Sequence, residues 1–202
     1  MSEFKAIIFD FGGVISMPRG LKEIILHLAG KFGVEEKAFE VEFRALWDKA
    51  KVGEFDEGEM LERLFKKFNI SYDVEKAKKE WFSLNSLVPE MIELVNVLKR
   101  REFKLAILSN NSRQWFEFRK RLWHFEELFD EIIVSYEIKA AKPDSAPYLI
   151  AAEKLGVKPE DCIFVDDQQK NIEGAEAVGM KGILFFDAKQ LKHDLAELGI
   201  KV

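Results

Sequence analysis

Residues 4–15 read FKAIIFDFGGVI. Ala6, Ile7, Ile8 and Phe9 form an apolar run with no break, so a strand built from them has no wet face. Such runs suit a central parallel strand covered on both sides. The run stops at a carboxylate, Asp10, and Gly12-Gly13 let the backbone turn sharply just after it. In open parallel sheets, ligands bind beyond the carboxyl ends of the strands, and Asp10 falls there.

The rest of the chain says what surrounds that strand. From residue 21 the apolar positions take helical spacing: Leu21, Ile24, Ile25 and Leu28, then Phe39, Phe43, Leu46 and Trp47. Asp56 and Asp73 are placed to cap two further helices, carrying Met60, Leu61, Leu64 and Phe65, then Ala77 and Trp81. Four short amphipathic helices predict a small bundle with Phe43, Trp47 and Trp81 in its core. Pro89 suits the first position of a helix. Beyond it the pattern alternates, with strands at 104–109, 131–135, 161–166 and 182–186 and helices at 112–122, 144–156, 168–178 and 188–198. Alternation of this kind makes a parallel sheet with right-handed crossovers. The expected fold class is α/β: a Rossmann-like parallel sheet core, residues 1–16 and 86–202, with an inserted four-helix cap, residues 17–85. The joints at residues 16–20 and 84–88 suit a hinge. With 202 residues, 48% of them hydrophobic, the chain can bury that core and the insert.

Charge and cysteine content exclude some classes. A net charge of −5 argues against nucleic acid or an anionic membrane as the main partner. One cysteine allows no internal disulfide, which fits a reducing cytoplasm, and no secretory signal or membrane-length apolar run is expected. Cys162 reads as a small core hydrophobe, and His27, His124 and His193 show no ligand spacing. The runs Arg119-Lys120-Arg121 and 76–80 read as solvated helix faces.

Polar residues collect where an apolar sheet does not need them. One strand ends at Asp10, another at Ser109-Asn110-Asn111, a third at Asp166-Asp167. All three ends share an edge if the sheet is parallel. Lys142, held out of helical geometry by Pro143, lies in a loop at that edge. Each has a plainer use alone: Ser109 or the acidic pair as helix caps, Lys142 as a solvated loop lysine. Together those uses require four unrelated groups to meet by accident.

Asp10 in FDFGGV, Ser109 in ILSNNS, Lys142 in AAKPDSAPY and Asp166-Asp167 in FVDDQQKNIEGA resemble, in order, the four motifs of the haloacid dehalogenase-like superfamily. The resemblance spans the chain and includes a helical cap between the first two motifs. It looks most like the branch containing sugar-phosphate phosphatases and the phosphatase domain of soluble epoxide hydrolase. It implies Mg²⁺ and the hydrolysis of a small phosphorylated metabolite; a monomer or homodimer is the expected assembly, which the resemblance does not decide. Asp10 would attack phosphorus and form an aspartyl phosphate. Mg²⁺ prefers hard oxygens, which makes Asp10 and Asp167 the best side-chain ligands, and the resemblance adds the Gly12 backbone carbonyl. Asp166 and Asn171 suit a shell that orients Asp167 or the metal's waters. Ser109 and Asn110, by its N–H or side chain, would hold phosphate oxygens. Lys142 would bridge phosphate and carboxylates; Lys139 is nearby, but the KPD context favours Lys142. The carboxylates of Asp10, Asp166 and Asp167 with a phosphate dianion sum to about −5, and Lys142 and Mg²⁺ bring that to about −2.

One position departs from the pattern. Most phosphatases of this family carry a second Asp two residues after the nucleophile, to protonate the leaving oxygen and then activate water. Here that position is Gly12. General acid–base help is worth about 10²–10⁴-fold in rate. Three outcomes stay open: a preference for good leaving groups, a stand-in such as Ser16, Arg19, a cap residue or a metal-bound water, or binding of phosphorylated ligands without useful turnover. The family's dehalogenases also lack that Asp, but they work without metal, and the retained Asp166-Asp167 argues for a cation.

Overall fold

Strand β1 (Ala6–Phe9) is buried along its whole length and pairs in parallel on both sides. The structure, a computed structural model, describes residues 4–17 and 21–202. A short strand β2 (Ser16–Met17) leads towards helices α1 (Lys22–Phe32), α2 (Glu36–Ala50), α3 (Glu57–Phe68) and α4 (Val74–Ser83). The chain returns through β3 (Ser86–Leu87), which pairs antiparallel with β2, so the two crossings between bundle and sheet run side by side. Then follow α5 (Pro89–Arg100), β4 (Lys104–Ser109), α6 (Arg113–Trp123), β5 (Glu131–Val134), α7 (Ser135–Ile138) and α8 (Ser145–Leu155). The chain finishes with β6 (Cys162–Asp166), α9 (Gln169–Ala177), β7 (Lys181–Leu184) and α10 (Ala188–Glu197).

The main sheet has five parallel strands in the order β5-β4-β1-β6-β7. The chain lays β4 and β5 to one side of β1 and β6 and β7 to the other. That reversal opens a crevice beyond the carboxyl ends of the central strands. Ile7, Phe9, Leu105 and Ile107 point into a core shared with Met91 of α5 and Phe116 of α6. Ala6, Ile8, Ala106 and Leu108 point the other way, onto Tyr148 of α8 and Ile172 of α9. Helices on both faces explain why the apolar run has no polar alternation.

A third cluster joins α1 to α4 through Ile25, Phe43, Leu61 and Trp81, and it is completed by Trp115 of α6. The Trp115 ring lies 5.7 Å from Trp47 and 5.2 Å from Trp81. The bundle therefore finishes its core against a helix of the sheet layer. Asp56 and Asp73 cap α3 and α4 by accepting from the N–H groups of Glu59 and Lys76, at 3.0 and 2.7 Å. Asp144 stands before α8 but makes no side-chain cap. The strand expected over 131–135 stops at Val134, because Ser135 turns into α7 and its hydroxyl donates to the Lys51 carbonyl at 2.5 Å. Among the described residues no helix is long and apolar enough to cross a membrane.

Candidate active site

Asp10 sits one residue past β1, and its N–H donates to the Val165 carbonyl at 2.8 Å, which holds it level with the end of β6. Phe9 and Phe11 anchor it from both sides; the Phe11 ring packs 4.6 Å from Phe125 and 5.5 Å from Phe116. Ser109 ends the adjacent β4 and Asp166 the adjacent β6, so three neighbouring strand ends deliver three polar groups to one edge.

Lys142 enters from the loop between α7 and α8. Its Nζ lies 2.8 Å from Asp10 Oδ1 and 2.7 Å from Asp166 Oδ2. At 2% exposure it is a buried ion-pair centre and not a solvated loop lysine. Asn110 fixes it from behind: its Nδ2 donates to the Lys142 carbonyl at 2.8 Å, and its Oδ1 accepts from the Lys142 N–H at 2.9 Å. That clasp takes both ends of the Asn110 amide and corrects the expectation that its side chain is available to phosphate. The Asn110 N–H and Ser109 remain for that task.

Asp166 is saturated by protein donors. Besides Lys142 it accepts from the Gln168 N–H at 2.8 Å and from Asn171 Nδ2 at 3.0 Å to each oxygen. Asn171 thus orients Asp166 and not Asp167, and its own Oδ1 is buried with no hydrogen-bond partner. Asp10, Asp166 and Asp167 each offer a carboxylate oxygen within 4.8 Å of the others. Burial pushes the Asp10 carboxyl up to about 7; Lys142 pulls it down, and Asp166 and Asp167 add to the rise. Burial on its own would lower the Lys142 ammonium, but attraction to Asp10 and Asp166 outweighs it and the net shift is upward.

The donor set suits a small hard cation: carboxylate oxygens from Asp10 and Asp167 with Asp166 already engaged, and an orphaned Asn171 Oδ1 of the kind that accepts from a metal's water. The turn after Asp10 is shaped around the same point. Gly13 has φ +89°, and a Cβ there would meet Asp167 Oδ2 at 2.5 Å. A Cβ at Gly12 would meet nothing within 4 Å, so the place of a second Asp is open space.

Above this floor lies a cavity of about 400 Å³, roofed by Lys22 of α1 and by Arg44, Trp47 and Asp48 of α2. Ser16 takes no part in its lining: it is buried, and its hydroxyl donates to the Phe11 carbonyl at 3.3 Å. Arg19 lies outside the described residues. His193, Asp194 and Glu197 also cluster on α10, outside the cavity lining.

Two buried charged residues, one lining the cavity and one behind it, escaped the sequence reading. Arg119, expected on a solvated face, is 1% exposed and lines the cavity. Its spacing was the available signal, since Trp115, Phe116 and Arg119 fall on one buried stripe of α6. Its guanidinium carbon lies 4.2 Å from the Trp115 ring and 4.8 Å from the Phe11 ring. Burial pulls the Arg119 pKa down to about 9, opposed by Asp10 and Glu57 through space, so it is charged at neutral pH. Glu57, fully buried on α3, accepts from Ser112 Oγ at 2.6 Å and from the N–H groups of Trp115 at 2.5 Å and Gln114 at 3.2 Å. It caps α6 from another helix, which no local spacing announces.

Residues 4–179 match the family model of the haloacid dehalogenase-like hydrolases. The chain belongs to that family. Flavin mononucleotide hydrolase 1 of Arabidopsis thaliana is 30% identical over 172 residues, 85% of this chain and 69% of that protein. The phosphorylated carbohydrates phosphatase of Thermotoga maritima is 29% identical over 57% of this hydrolase and 54% of its own length. A family enzyme of Bacteroides thetaiotaomicron, solved as a magnesium complex, superposes with a TM-score of 0.79 at 19% identity, over 96% of this chain and 98% of that one. That superposition shows the same fold for this hydrolase.

Proposed function

We propose that this hydrolase cleaves phosphomonoesters of small metabolites, sugar phosphates among them, with Asp10 as the nucleophile. The observation that carries the reading is Lys142 held between Asp10 and Asp166, with Asp167 beside them at the sheet edge. Saturation of Asp166 leaves Asp10 Oδ2 to attack phosphorus. The phosphorus–oxygen bond to the leaving group breaks, and the leaving alkoxide takes a proton from water. A second water then attacks the phosphorus of the aspartyl phosphate, which frees inorganic phosphate and Asp10. Ser109 Oγ and the Asn110 N–H hold the non-bridging oxygens, and Lys142 offsets their charge. Mg²⁺, held by Asp10, Asp167 and the Gly12 carbonyl, would supply further charge neutralisation. The names of the Arabidopsis relative, a flavin mononucleotide hydrolase, and of the Thermotoga relative, a phosphorylated carbohydrates phosphatase, support this reading, as does the magnesium in the Bacteroides structure.

In this reading residues 1–16 and 86–202 form the core and 17–85 the cap, supported by the separate hydrophobic cluster of α1 to α4. A reducing cytoplasm suits the lone buried Cys162. The open space at Gly12 favours a second reading, a phosphate-ligand binding protein without useful turnover.

The test is phosphate release from p-nitrophenyl phosphate and a panel of sugar phosphates. We expect release only with Mg²⁺, and a loss of at least about 10³-fold in Asp10→Asn. Full activity in a cleanly purified Asp10→Asn protein would end the nucleophile assignment. Beryllofluoride binding with no release from any substrate would establish the binding reading, and haloacid turnover in EDTA would establish a dehalogenase.

A further inference from the structure

Arg119 is a buried cation with no carboxylate in direct contact. Its Nε donates to the Trp115 carbonyl at 3.3 Å, and its buried Nη2 has no hydrogen-bond partner. Among the described residues it makes no ion pair: Glu57 is committed to the first turn of α6 and Asp10 to Lys142. Two aromatic faces hold the guanidinium but leave it without a carboxylate. Asp10 and Glu57 offset part of the charge through space, but a buried guanidinium with an unpartnered N–H and no direct carboxylate is a cost to the folded state, and a ligand anion that bonds it recovers part of that cost. The same cavity carries further positive charge at its rim, from Lys22, Arg44, Lys51 and Lys170. Lys51 is paired with Asp48 at 2.6 Å and Arg44 with Glu40 at 2.7 Å. Beside Gly12 there is open space for a substituent on the leaving group.

We propose that Arg119 binds a second anionic group, a carboxylate or a phosphate, carried by the alcohol part of the substrate. The preferred substrates are then phosphomonoesters of acidic alcohols, an inference that rests on the phosphomonoester reading above. A planar guanidinium stacked between rings offers its N–H edge in a fixed direction, which suits two-point recognition of a carboxylate or phosphate. An anion gripped there orients the ester on Asp10, and remote binding of this kind can assist a site that has no side chain at position 12.

The experiment compares three phosphomonoesters of similar size: glycerol 3-phosphate, with a neutral alcohol part; 3-phosphoglycerate, with a carboxylate; and propane-1,3-diol bisphosphate. p-Nitrophenyl phosphate serves as the reference for turnover. The wild-type protein should favour at least one doubly anionic substrate over glycerol 3-phosphate by about 10- to 100-fold in kcat/KM, mainly through KM. Whichever is preferred identifies the anion. Arg119→Met should erase the preference, read as the ratio of kcat/KM for the doubly anionic substrates to that for glycerol 3-phosphate in the same variant; Arg119→Lys should restore part of it. Calorimetric binding of the same three compounds to Asp10→Asn should rank them in the same order. Turnover of p-nitrophenyl phosphate with no preference among the three overturns the Arg119 assignment and leaves the phosphatase reading standing. An Arg119→Met protein that keeps the preference, or that loses only thermal stability, also overturns it. Should Arg119→Met fail to fold, the wild-type preference and the binding order decide. No phosphate release from any compound would instead sink the phosphomonoester reading itself.

Discussion

The floor and the inner wall of the cavity each bury a cation, and they treat it in opposite ways. On the floor, Lys142 has carboxylates of Asp10 and Asp166 at 2.8 and 2.7 Å, and the Asn110 clasp fixes its backbone. On the wall, Arg119 has two aromatic rings, one carbonyl and no ion pair. A cation neutralised at rest belongs to the machinery that must stand ready before substrate arrives. A cation left unneutralised is a place for charge that arrives later. The floor is therefore preorganised at the sheet edge, whereas the wall, shared between α6 and the bundle, is where the Arg119 proposal puts selectivity.

Removing the floor cation gives the largest expected effect. Lys142→Met leaves Asp10 and Asp166 buried with their shared partner gone, a loss of about 3–5 kcal/mol in denaturant unfolding. Phosphate release should fall at least about 10³-fold. Arg119→Met should cost far less, within about 1 kcal/mol, because exchanging an unpaired buried charge for an apolar side chain of similar length is close to neutral. Equal losses of stability in the two variants would erase the contrast between floor and wall.

The next effect concerns the space between them. Gly12→Asp adds a side chain whose Cβ meets no atom within 4 Å, so the fold should tolerate it. The new carboxyl can protonate a leaving alkoxide. Alkyl phosphates should gain about 10²-fold in kcat relative to p-nitrophenyl phosphate, whose leaving group needs little help. A variant that unfolds would show that the space at position 12 does not accept a carboxyl, and a folded one that gains equally on both substrates would show that position 12 does not face the leaving oxygen.

The floor could be read from the sequence and the wall could not, and the reason is physical. Ser109 and Asp166 end strands, Asp10 directly follows one and Lys142 stands just before a helix, so local pattern and parallel topology bring them to one edge. Arg119 sits inside a helix, within a basic run whose other members, Lys120 and Arg121, are half-buried and exposed. Only the stripe with Trp115 and Phe116 marks it, and that stripe becomes decisive once the bundle is known to close over it. Asn110 illustrates a subtler limit. Its place at a strand end was legible, but not that its amide would turn to the Lys142 backbone, a contact 32 residues away in sequence. Glu57 lies further still from local pattern, 58 residues before the Trp115 N–H it accepts from.

Glu57 is also where wall and bundle are tied together, and it supplies the most diagnostic effect. A Gln at this position keeps one oxygen, either for the Ser112 hydroxyl and the Trp115 N–H, which share Oε1, or for the Gln114 N–H on Oε2, but puts an amide nitrogen against the other side, and it removes a negative charge from the start of α6. The expected loss is about 1–3 kcal/mol. Turnover of p-nitrophenyl phosphate should stay within about threefold, because no atom of Glu57 lines the cavity. Hydrogen exchange locates the damage: the amides of Gln114 and Trp115 should exchange faster, together with those of α3, while β1 and β6 keep their protection. Such a pattern means that α3 and α6 open as one unit. Any movement of the bundle about the β2–β3 crossing would then either break the Glu57 contacts and the Trp115–Trp81 packing or carry α6, and with it Arg119, along with the bundle. Unchanged exchange at Gln114 and Trp115 would separate the bundle from the wall and leave a hinge at β2 and β3 free to move without either.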